Sequence, residues 1–199
     1  MAMRSSPLAL TVLSLLHMQP LHPYGIQRLI KQWGKDQVVN VSQRTALYRT
    51  IDRLLDAGLI SVRETERDQQ YPERTVYEVT DAGRAAQRAW LREMLAEVRT
   101  EYPEFPAALS FVLMLTPAEA REVLAERADT VRASIEALDT TARHTAELAL
   151  PRVTMLEDEY RRAVLAAELG WLDAVTGDLL SGTLTWDFDS LAALAQAES

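Results

Sequence analysis

Cysteine is absent from the sequence, which excludes disulfide bonds and cysteine-bound metal. No run of about 18 apolar residues, the length that marks a membrane-spanning helix, occurs in the chain. The seven glycines are scattered and form neither a G-x-G-x-x-G pattern nor a phosphate-binding loop. The three histidines, His17, His22 and His144, lack the spacing of metal ligands. We therefore expect no metal, no cofactor, no membrane span and no enzymatic activity.

The N-terminus also lacks the pattern of a secretory signal, since no charged segment precedes a long apolar stretch and a small-residue cleavage site. Together with the absence of cysteine, this favours a cytoplasmic location. Hydrophobic residues make up 48% of the 199 residues and charged residues 25%, which is typical of a chain that folds around an apolar core. The length fits one domain with a substantial extension, or two small domains.

The whole chain has a formal net charge of −8. Its acidic residues are concentrated in the second half. Residues 1–99 contain 14 Lys and Arg against 11 Asp and Glu, whereas residues 100–199 contain 7 against 18. Such asymmetry is expected when one half meets a polyanion. A small basic excess also arises by chance in a domain of this size, so charge alone leaves both interpretations open.

The segment VSQRTALYRTIDRLLDAGLI, residues 41–60, predicts a helix with two different faces. Ser42 or Asn40 is placed to cap its N-terminus, and Gly58 to end it in a left-handed conformation. At about 100° per residue, hydrophobic residues form one stripe and arginines point the opposite way. The apolar stripe contains Leu47, Ile51, Leu54 and Leu55, and the opposite face contains Thr45, Arg49, Asp52, Arg53 and Asp56.

Two shorter helices precede this segment and a β-hairpin follows it. Ser6-Pro7 predicts the start of the first helix, because serine caps helices and proline suits the first helical position. His22-Pro23-Tyr24-Gly25 opens the second helix. Segments 59–65 and 74–80 are rich in β-branched residues and flank a polar segment with a proline, which predicts the hairpin. Thr80 is the expected N-cap of a fourth helix.

Three short helices followed by a hairpin are the element order of a winged helix, a variant of the helix-turn-helix. In that fold the third helix enters the major groove of DNA. Outward arginines then meet backbone phosphates and guanine edges. The same alternation of arginine and aspartate also occurs on ordinary solvated helix faces. The face alone is therefore weak support, and the order of elements favours the DNA-binding interpretation.

Two long helices are predicted in the second half. Residues 102–106 contain two prolines and predict a linker, and Thr116-Pro117-Ala118-Glu119 predicts a helix start with a capping box. No glycine or proline follows until about residue 150. Apolar residues in this helix repeat at alternating spacings of 4 and 3, as in a coiled-coil seam. The seam contains Leu124, Ala128, Val131, Ile135, Leu138, Ala142, Thr145 and Ala149.

The last helix, from about residue 153 to residue 180, carries two apolar stripes. A helix on the surface of a monomer needs only one such stripe. We therefore expect one stripe to pack against the same chain and the other against a second copy of it, in a dimer formed through the two long helices. One stripe contains Val153, Leu156, Tyr160, Ala167 and Trp171, and the other contains Leu165, Leu169, Leu172 and Leu179.

Three segments of the N-terminal half resemble the PadR family of bacterial transcriptional regulators. LALTVLSLLHMQPLHPYGIQRLI, residues 8–30, resembles the first two helices of the family, and LYRTIDRLLDAGLI, residues 47–60, resembles its recognition helix and the start of the wing. RTVYEVTDAGR, residues 74–84, resembles the return strand and the start of the fourth helix. The resemblance is close over about residues 5–99 and architectural beyond them.

This resemblance implies a homodimer that binds a palindromic operator in double-stranded DNA and usually represses transcription. It implies a mainly α fold, with a winged helix-turn-helix domain and its hairpin wing in residues 1–99. An α-helical dimerisation domain would occupy residues 100–199. The protein would lie in the bacterial cytoplasm, at the nucleoid when bound to DNA. The expected DNA-binding residues are Tyr24, Arg28, Ser42, Gln43, Arg44, Thr45, Tyr48, Arg49, Arg53, Arg67 and Arg74.

Two features depart from the family pattern. Thr45-Ala46 precede the tyrosine at a turn where members often have glycine, which leaves the cap of the third helix open. The wing arginines Arg67 and Arg74 are matched by carboxylates before and after them, so contact of the wing with DNA also stays open. A winged-helix module that binds another protein instead of DNA is the alternative function.

Family members often sense small aromatic or hydrophobic effectors, near the junction of the two domains or at the dimer interface. Aromatic side chains provide stacking area for such molecules. The same side chains serve equally well as anchors of a core or an interface, so two interpretations stay open. The candidate effector residues are Trp33, Trp90, Tyr160 and Trp171.

Overall fold

The computed structural model describes residues 3–41, 44–66 and 74–188. The chain divides into two compact units, Met1–Thr100 and Glu101–Ser199. In the part of the chain that is described, no helix is both long enough and apolar enough to cross a membrane. The assignment of the two units to DNA binding and to dimerisation stays a prediction.

The first unit has the predicted element order of a winged helix. The first helix is apolar on most sides and supplies much of the core, with Val12, Leu13 and Leu16 buried. Its Ser6 cap is confirmed, because the Ser6 hydroxyl accepts a hydrogen bond from the Ala9 N–H at 3.2 Å. The elements are α1 (Pro7–Met18), α2 (Pro23–Gln32), a 3₁₀ turn (Lys35–Gln37), α3 (Arg44–Asp56), β1 (Ile60–Glu66), β2 (Arg74–Val79) and α4 (Asp81–Ala96).

The hairpin is fixed to the helices by backbone hydrogen bonds. Strands β1 and β2 pair antiparallel, from Ile60 opposite Val79 to Glu66 opposite Arg74, with a bulge between residues 62 and 64. The Tyr77 N–H donates to the Leu21 carbonyl at 2.9 Å, and the Leu21 N–H donates back at 3.0 Å. The turn between α1 and α2 therefore extends the sheet and holds the base of the hairpin.

The first turn of α4 lies against the backbone that leads into β1. Thr80 is the N-cap, as predicted: its hydroxyl accepts the Gly83 N–H at 3.0 Å and donates to the Gly58 carbonyl at 2.8 Å. A Cβ atom at position 83 would lie 1.9 Å from the carbonyl oxygen of Leu59. Only glycine therefore allows this close approach.

In the second unit, the two predicted long helices form an antiparallel pair. The predicted capping box is confirmed, because Thr116 and Glu119 exchange hydrogen bonds through backbone and side chain. These hydrogen bonds lower the pKa of the Glu119 carboxyl below its ordinary value. The elements are α5 (Glu104–Leu109), a 3₁₀ turn (Val112–Met114), α6 (Pro117–Glu147), a second 3₁₀ turn (Arg152–Met155) and α7 (Leu156–Ser181).

The predicted linker over residues 102–106 is partly wrong, because α5 begins at Glu104 inside it. Prolines near a helix start break no hydrogen bond, since the first turn has no intrahelical partner for its N–H groups. Pro106 lies in that first turn and is therefore compatible with the helix. Phe105 packs against the core of the second unit, which gives the short helix its tertiary support.

The arginines between α6 and α7 are paired within the chain. The Arg127 Nε atom lies 2.5 Å from a Glu168 carboxylate oxygen, and the Arg162 Nε atom lies 2.5 Å from an Asp139 carboxylate oxygen. The hydrogen bond from Arg162 holds the pKa of the Asp139 carboxyl below its ordinary value. The Arg162–Asp139 pair is the more exposed of the two and therefore contributes little to stability.

The close approach at Gly83 generates a stability prediction. Gly83→Ala is expected to lower the free energy of unfolding by about 3 kcal/mol, since the new methyl group overlaps a backbone carbonyl that cannot move away. Urea denaturation followed by circular dichroism measures this change.

Gly177→Ala is the matched control, since a Cβ at that position in α7 meets no atom within 4 Å. It is expected to raise stability by about 0.5–1 kcal/mol, because alanine has the higher helix propensity. Equal effects of the two substitutions would show that the close contact with Leu59 does not restrict position 83 to glycine.

Candidate nucleic-acid interface

Helix α3 is held by its apolar stripe, and this fixes which residues face solvent. Leu47, Ile51 and Leu54 are buried in the core of the first unit. With these side chains inward, the opposite face projects outward at the predicted helical spacing. The exposed side chains are Thr45, Tyr48, Arg49, Asp52, Arg53 and Asp56.

Three exposed arginines on α2 and α3 are not neutralised by any carboxylate that the structure describes. Among the residues that the structure describes, Arg28 on α2 and Arg49 and Arg53 on α3 form no ion pair or side-chain hydrogen bond. The alternation of arginine and aspartate on α3 is therefore not a network of ion pairs. Its guanidinium groups are available to an external anion.

The hairpin lies beside one edge of this outward face. Burial raises the pKa of the Tyr77 hydroxyl on β2, and the nearby Asp52 carboxylate and Tyr48 raise it further. Tyr48 and Asp52 thus lie on the hairpin side of α3. Arg49 follows Tyr48 by one residue and therefore lies about 100° further round the helix.

Helix α2 begins with a histidine cap that also touches a candidate residue. The Nδ1 atom of His22 accepts the Gly25 N–H at 2.8 Å. The His22 ring stacks on Tyr24, with 6.0 Å between centroids and 18° between planes. Tyr24 and Arg28 are both exposed and are four residues apart, on the same side of α2.

Several predicted DNA-binding residues lie outside the described part of the chain. These are Ser42, Gln43 and Arg67, together with the side chains of Arg44 and Arg74, whose backbones belong to α3 and β2. Contact of the wing with DNA therefore stays a prediction. Within the described part of the wing, Arg63 faces Glu78 across the strands at 3.8 Å, so this arginine is partly neutralised.

The four candidate effector residues have different surroundings. Trp33 follows α2 and is partly exposed, whereas Trp90 on α4 packs against the core of the first unit. Tyr160 is 71% exposed on α7, and Trp171 meets Phe105 edge to face at a centroid distance of 6.0 Å. An effector role for these residues stays a prediction. No metal-binding group of His, Cys, Asp or Glu occurs among the described residues.

The structure adds one basic residue that sequence reasoning missed. Arg4 lies in the segment before α1, and this segment lines a surface cavity together with Thr50, Arg53, Asp56 and Ala57. Helical periodicity could not reveal the neighbourhood of Arg4, because the segment is not helical. The sequence offered one local indication of where Arg4 lies, its position two residues before the Ser6 cap of α1.

Residues 12–89 match the family of PadR-like transcriptional regulators. This part of the chain is similar to the PadR-like family. The match covers the winged helix from α1 to α4, which includes the outward face of α3. No curated protein matches the chain in a sequence comparison.

Solved PadR structures share the fold over most of the chain. Bacillus subtilis PadR in complex with operator DNA has a TM-score of 0.71 at 20% identity, covering 87% of this chain and 99% of that one. The same protein in complex with p-coumaric acid gives 0.69 at 18% identity, covering 86% and 98%. The Vibrio cholerae virulence activator AphA gives 0.64 at 20% identity, covering 87% and 98%.

The histidine cap of α2 generates a prediction about the helix that supports α3. His22→Ala is expected to lower the free energy of unfolding by about 1 kcal/mol, because the Gly25 N–H loses its acceptor. His22→Asn should retain most of the stability, since asparagine is a good N-cap. Denaturant titration compares the two variants. An equal loss in both would assign the effect to the stack on Tyr24 instead.

Proposed function

We propose that this chain is a homodimeric, sequence-specific DNA-binding transcriptional regulator that represses its operator and is released by a small aromatic effector. The observation that carries the proposal is the outward face of α3, whose Arg49 and Arg53 lack partners among the described residues. This face belongs to a PadR-like winged helix. The proposed location is the bacterial cytoplasm, at the nucleoid when the protein is bound to DNA, and the proposal includes no catalytic step.

In the proposed complex, α3 lies in the major groove and α2 supports it from behind. Arginine suits guanine, because its guanidinium group donates two parallel hydrogen bonds to O6 and N7. Arg49, near the middle of α3, is our candidate for this base contact. Arg28 and Tyr24 on α2 are candidates for backbone phosphates, since charged and hydroxyl donors both bind phosphate oxygens.

The proposed dimer uses the stripe of α7 that its own chain leaves uncovered. Leu172 and Leu179 are buried against the same chain, whereas Val164 is 47% and Trp171 43% exposed. At 100° per residue these exposed side chains share a face that is free of charge between residues 160 and 174. An uncharged apolar face of this length fits a second copy of the helix. The face contains Tyr160, Ala163, Val164, Ala167, Trp171 and Ala174.

The acidic charge is compatible with this division of roles. Phosphate repels the acidic half, so the basic half makes the DNA contacts, and the negative charge keeps the dimer soluble.

The effector part of the proposal is supported by the complex that Bacillus subtilis PadR forms with p-coumaric acid. Trp33, Trp90, Tyr160 and Trp171 are the candidate contacts. Such a ligand releases DNA only if it binds the DNA-free conformation more tightly.

Arg49→Ala tests the DNA-binding proposal. Selection of oligonucleotides from a random pool first provides the operator and shows whether it is palindromic. On that operator, the substitution is expected to weaken binding by about 1–3 kcal/mol, as for loss of one bidentate base contact. Gel shift or fluorescence anisotropy measures the affinity. Arg143→Ala removes the same charge from α6 and should leave the affinity unchanged.

The alternative protein-binding module predicts a different result. DNA binding by several basic groups must weaken steeply between 50 and 200 mM salt, because counterions are released from the phosphates. Failure of the pool to yield any motif, or a flat salt dependence, would favour the protein-binding function.

Val164→Glu tests the dimer. The substitution places a charge in the middle of the uncharged face of α7 and is expected to convert the dimer to a monomer in sedimentation velocity. Leu180→Glu is the matched control, since Leu180 is 74% exposed and lies on another side of α7. The control should remain a dimer. A monomeric wild-type protein would contradict the proposal directly.

A further inference from the structure

We infer that the segment before α1 forms a second DNA contact, in which Arg4 and Arg53 together hold one phosphate of the duplex backbone. The inference rests on the proposed function, because it assumes that α3 meets DNA. It extends that function to a residue outside the helix-turn-helix. Arg53 is the shared element, since it belongs to α3 and also borders the segment that carries Arg4.

A surface cavity lies between two parts of the first unit. One wall is the segment from Met3 to Ser6, and the other is the last part of α3, with Thr50, Arg53, Asp56 and Ala57. The cavity has a volume of about 490 Å³ and is open to solvent. Both arginine side chains are exposed. A phosphate group is small enough to enter between them.

The segment that carries Arg4 is fixed at both ends. Met3 packs against the apolar core of the first unit. Ser6 caps α1 with its hydroxyl, and its carbonyl accepts the Leu10 N–H at 2.9 Å. Only two residues lie between these anchors. Arg4 is therefore held beside α3 before DNA arrives, and its backbone loses little freedom when a ligand binds.

The charges of the cavity favour an anion. Among the described residues, the side chains of Arg4, Ser5 and Arg53 form no hydrogen bond or ion pair. Asp56 also lines the cavity but is paired with neither arginine. The Thr50 hydroxyl donates to the Ala46 carbonyl at 2.8 Å. The side-chain donors that remain in the cavity are therefore the two arginines and the hydroxyls of Ser5 and Ser6.

The expected ligand is a phosphate of the backbone rather than a base. Arg53 follows Arg49 by four residues, so it lies one turn nearer the C-terminal end of α3 and on the same side. If Arg49 reaches a base edge, a residue one turn further along the helix approaches the rim of the groove, where the backbone runs. Arginine binds phosphate through charge and paired N–H groups.

The experiment uses the full chain, the selected operator and an unrelated duplex of equal length. Arg4→Ala is expected to weaken binding roughly 5- to 10-fold at 0.1 M salt and to reduce the slope of log K against log salt by about 0.9, as for one phosphate contact. The loss should be similar on both duplexes, because a phosphate carries no sequence information. Arg4→Lys should recover most of the affinity.

Four further variants complete the design, one of which is Arg53→Ala alone. Arg143→Ala controls for net charge and should keep the wild-type slope. Asp56→Asn should strengthen binding severalfold, because it removes a carboxylate that repels the phosphate. The double variant Arg4→Ala with Arg53→Ala should lose less than the two single losses combined, since both residues hold the same group. Thermal unfolding of each variant verifies that it is folded.

The outcomes separate this inference from the proposed function. If Arg4→Ala keeps the wild-type affinity and slope while Arg49→Ala loses binding, the inference is overturned and the DNA-binding function stands. If Arg4→Ala changes the base preference of the selected motif, the contact is with a base and the phosphate assignment is wrong. If the wild-type protein binds no DNA at all, the proposed function and this inference fail together.

Discussion

The burial of the apolar stripe of α3 against the core of the first unit is the constraint on which the candidate site depends. A helix turns by about 100° per residue, so fixing Leu47, Ile51 and Leu54 inward also fixes the direction of every other side chain on α3. Arg49 and Arg53 therefore project outward although no described residue forms an ion pair or hydrogen bond with their side chains. The site is positioned by hydrophobic packing, and within the described part of the chain its Arg49 and Arg53 side chains keep their donors for a ligand.

The ion pairing of arginines differs between the two units. In the second unit, Arg127 and Arg162 are bound by Glu168 and Asp139 of the same chain. On α3, Asp52 and Asp56 stand beside the arginines without pairing with them. An exposed cation that forms no ion pair costs little free energy, because water solvates it. It can still displace counterions when it binds a polyanion such as DNA. Net charge is therefore a poor guide to the function of this chain, and local pairing is a better one.

Local chemistry made much of this fold predictable. Ser6, Thr80 and Thr116 cap the helices that their positions indicated, because a cap depends only on neighbouring residues. The same holds for the outward face of α3 and for one buried and one exposed stripe on α7, which follow from helical periodicity. Caps and periodicity operate over a few residues, so the sequence displays them directly.

Features that depend on contacts between distant segments were not predictable in this way. The first turn of α5 lies inside the segment that its prolines marked as a linker, since Phe105 gains its support from the core of the second unit. The requirement for glycine at position 83 arises from the carbonyl of Leu59, more than twenty residues earlier. Arg4 acquires its place beside Arg53 through Met3, whose packing has no periodic signal.

Dimerisation and DNA recognition are coupled in the proposed regulator even though no residue serves both. One α3 reads only a few base pairs, so a single copy cannot distinguish an operator from the many competing sites. Two copies joined through α7 bind the second half-site as an intramolecular step, and the affinity rises without any new contact to DNA. An effector therefore does not need to touch α3. The two recognition helices must lie about one helical turn of DNA apart to reach both half-sites. A ligand that changes this separation therefore reduces operator affinity.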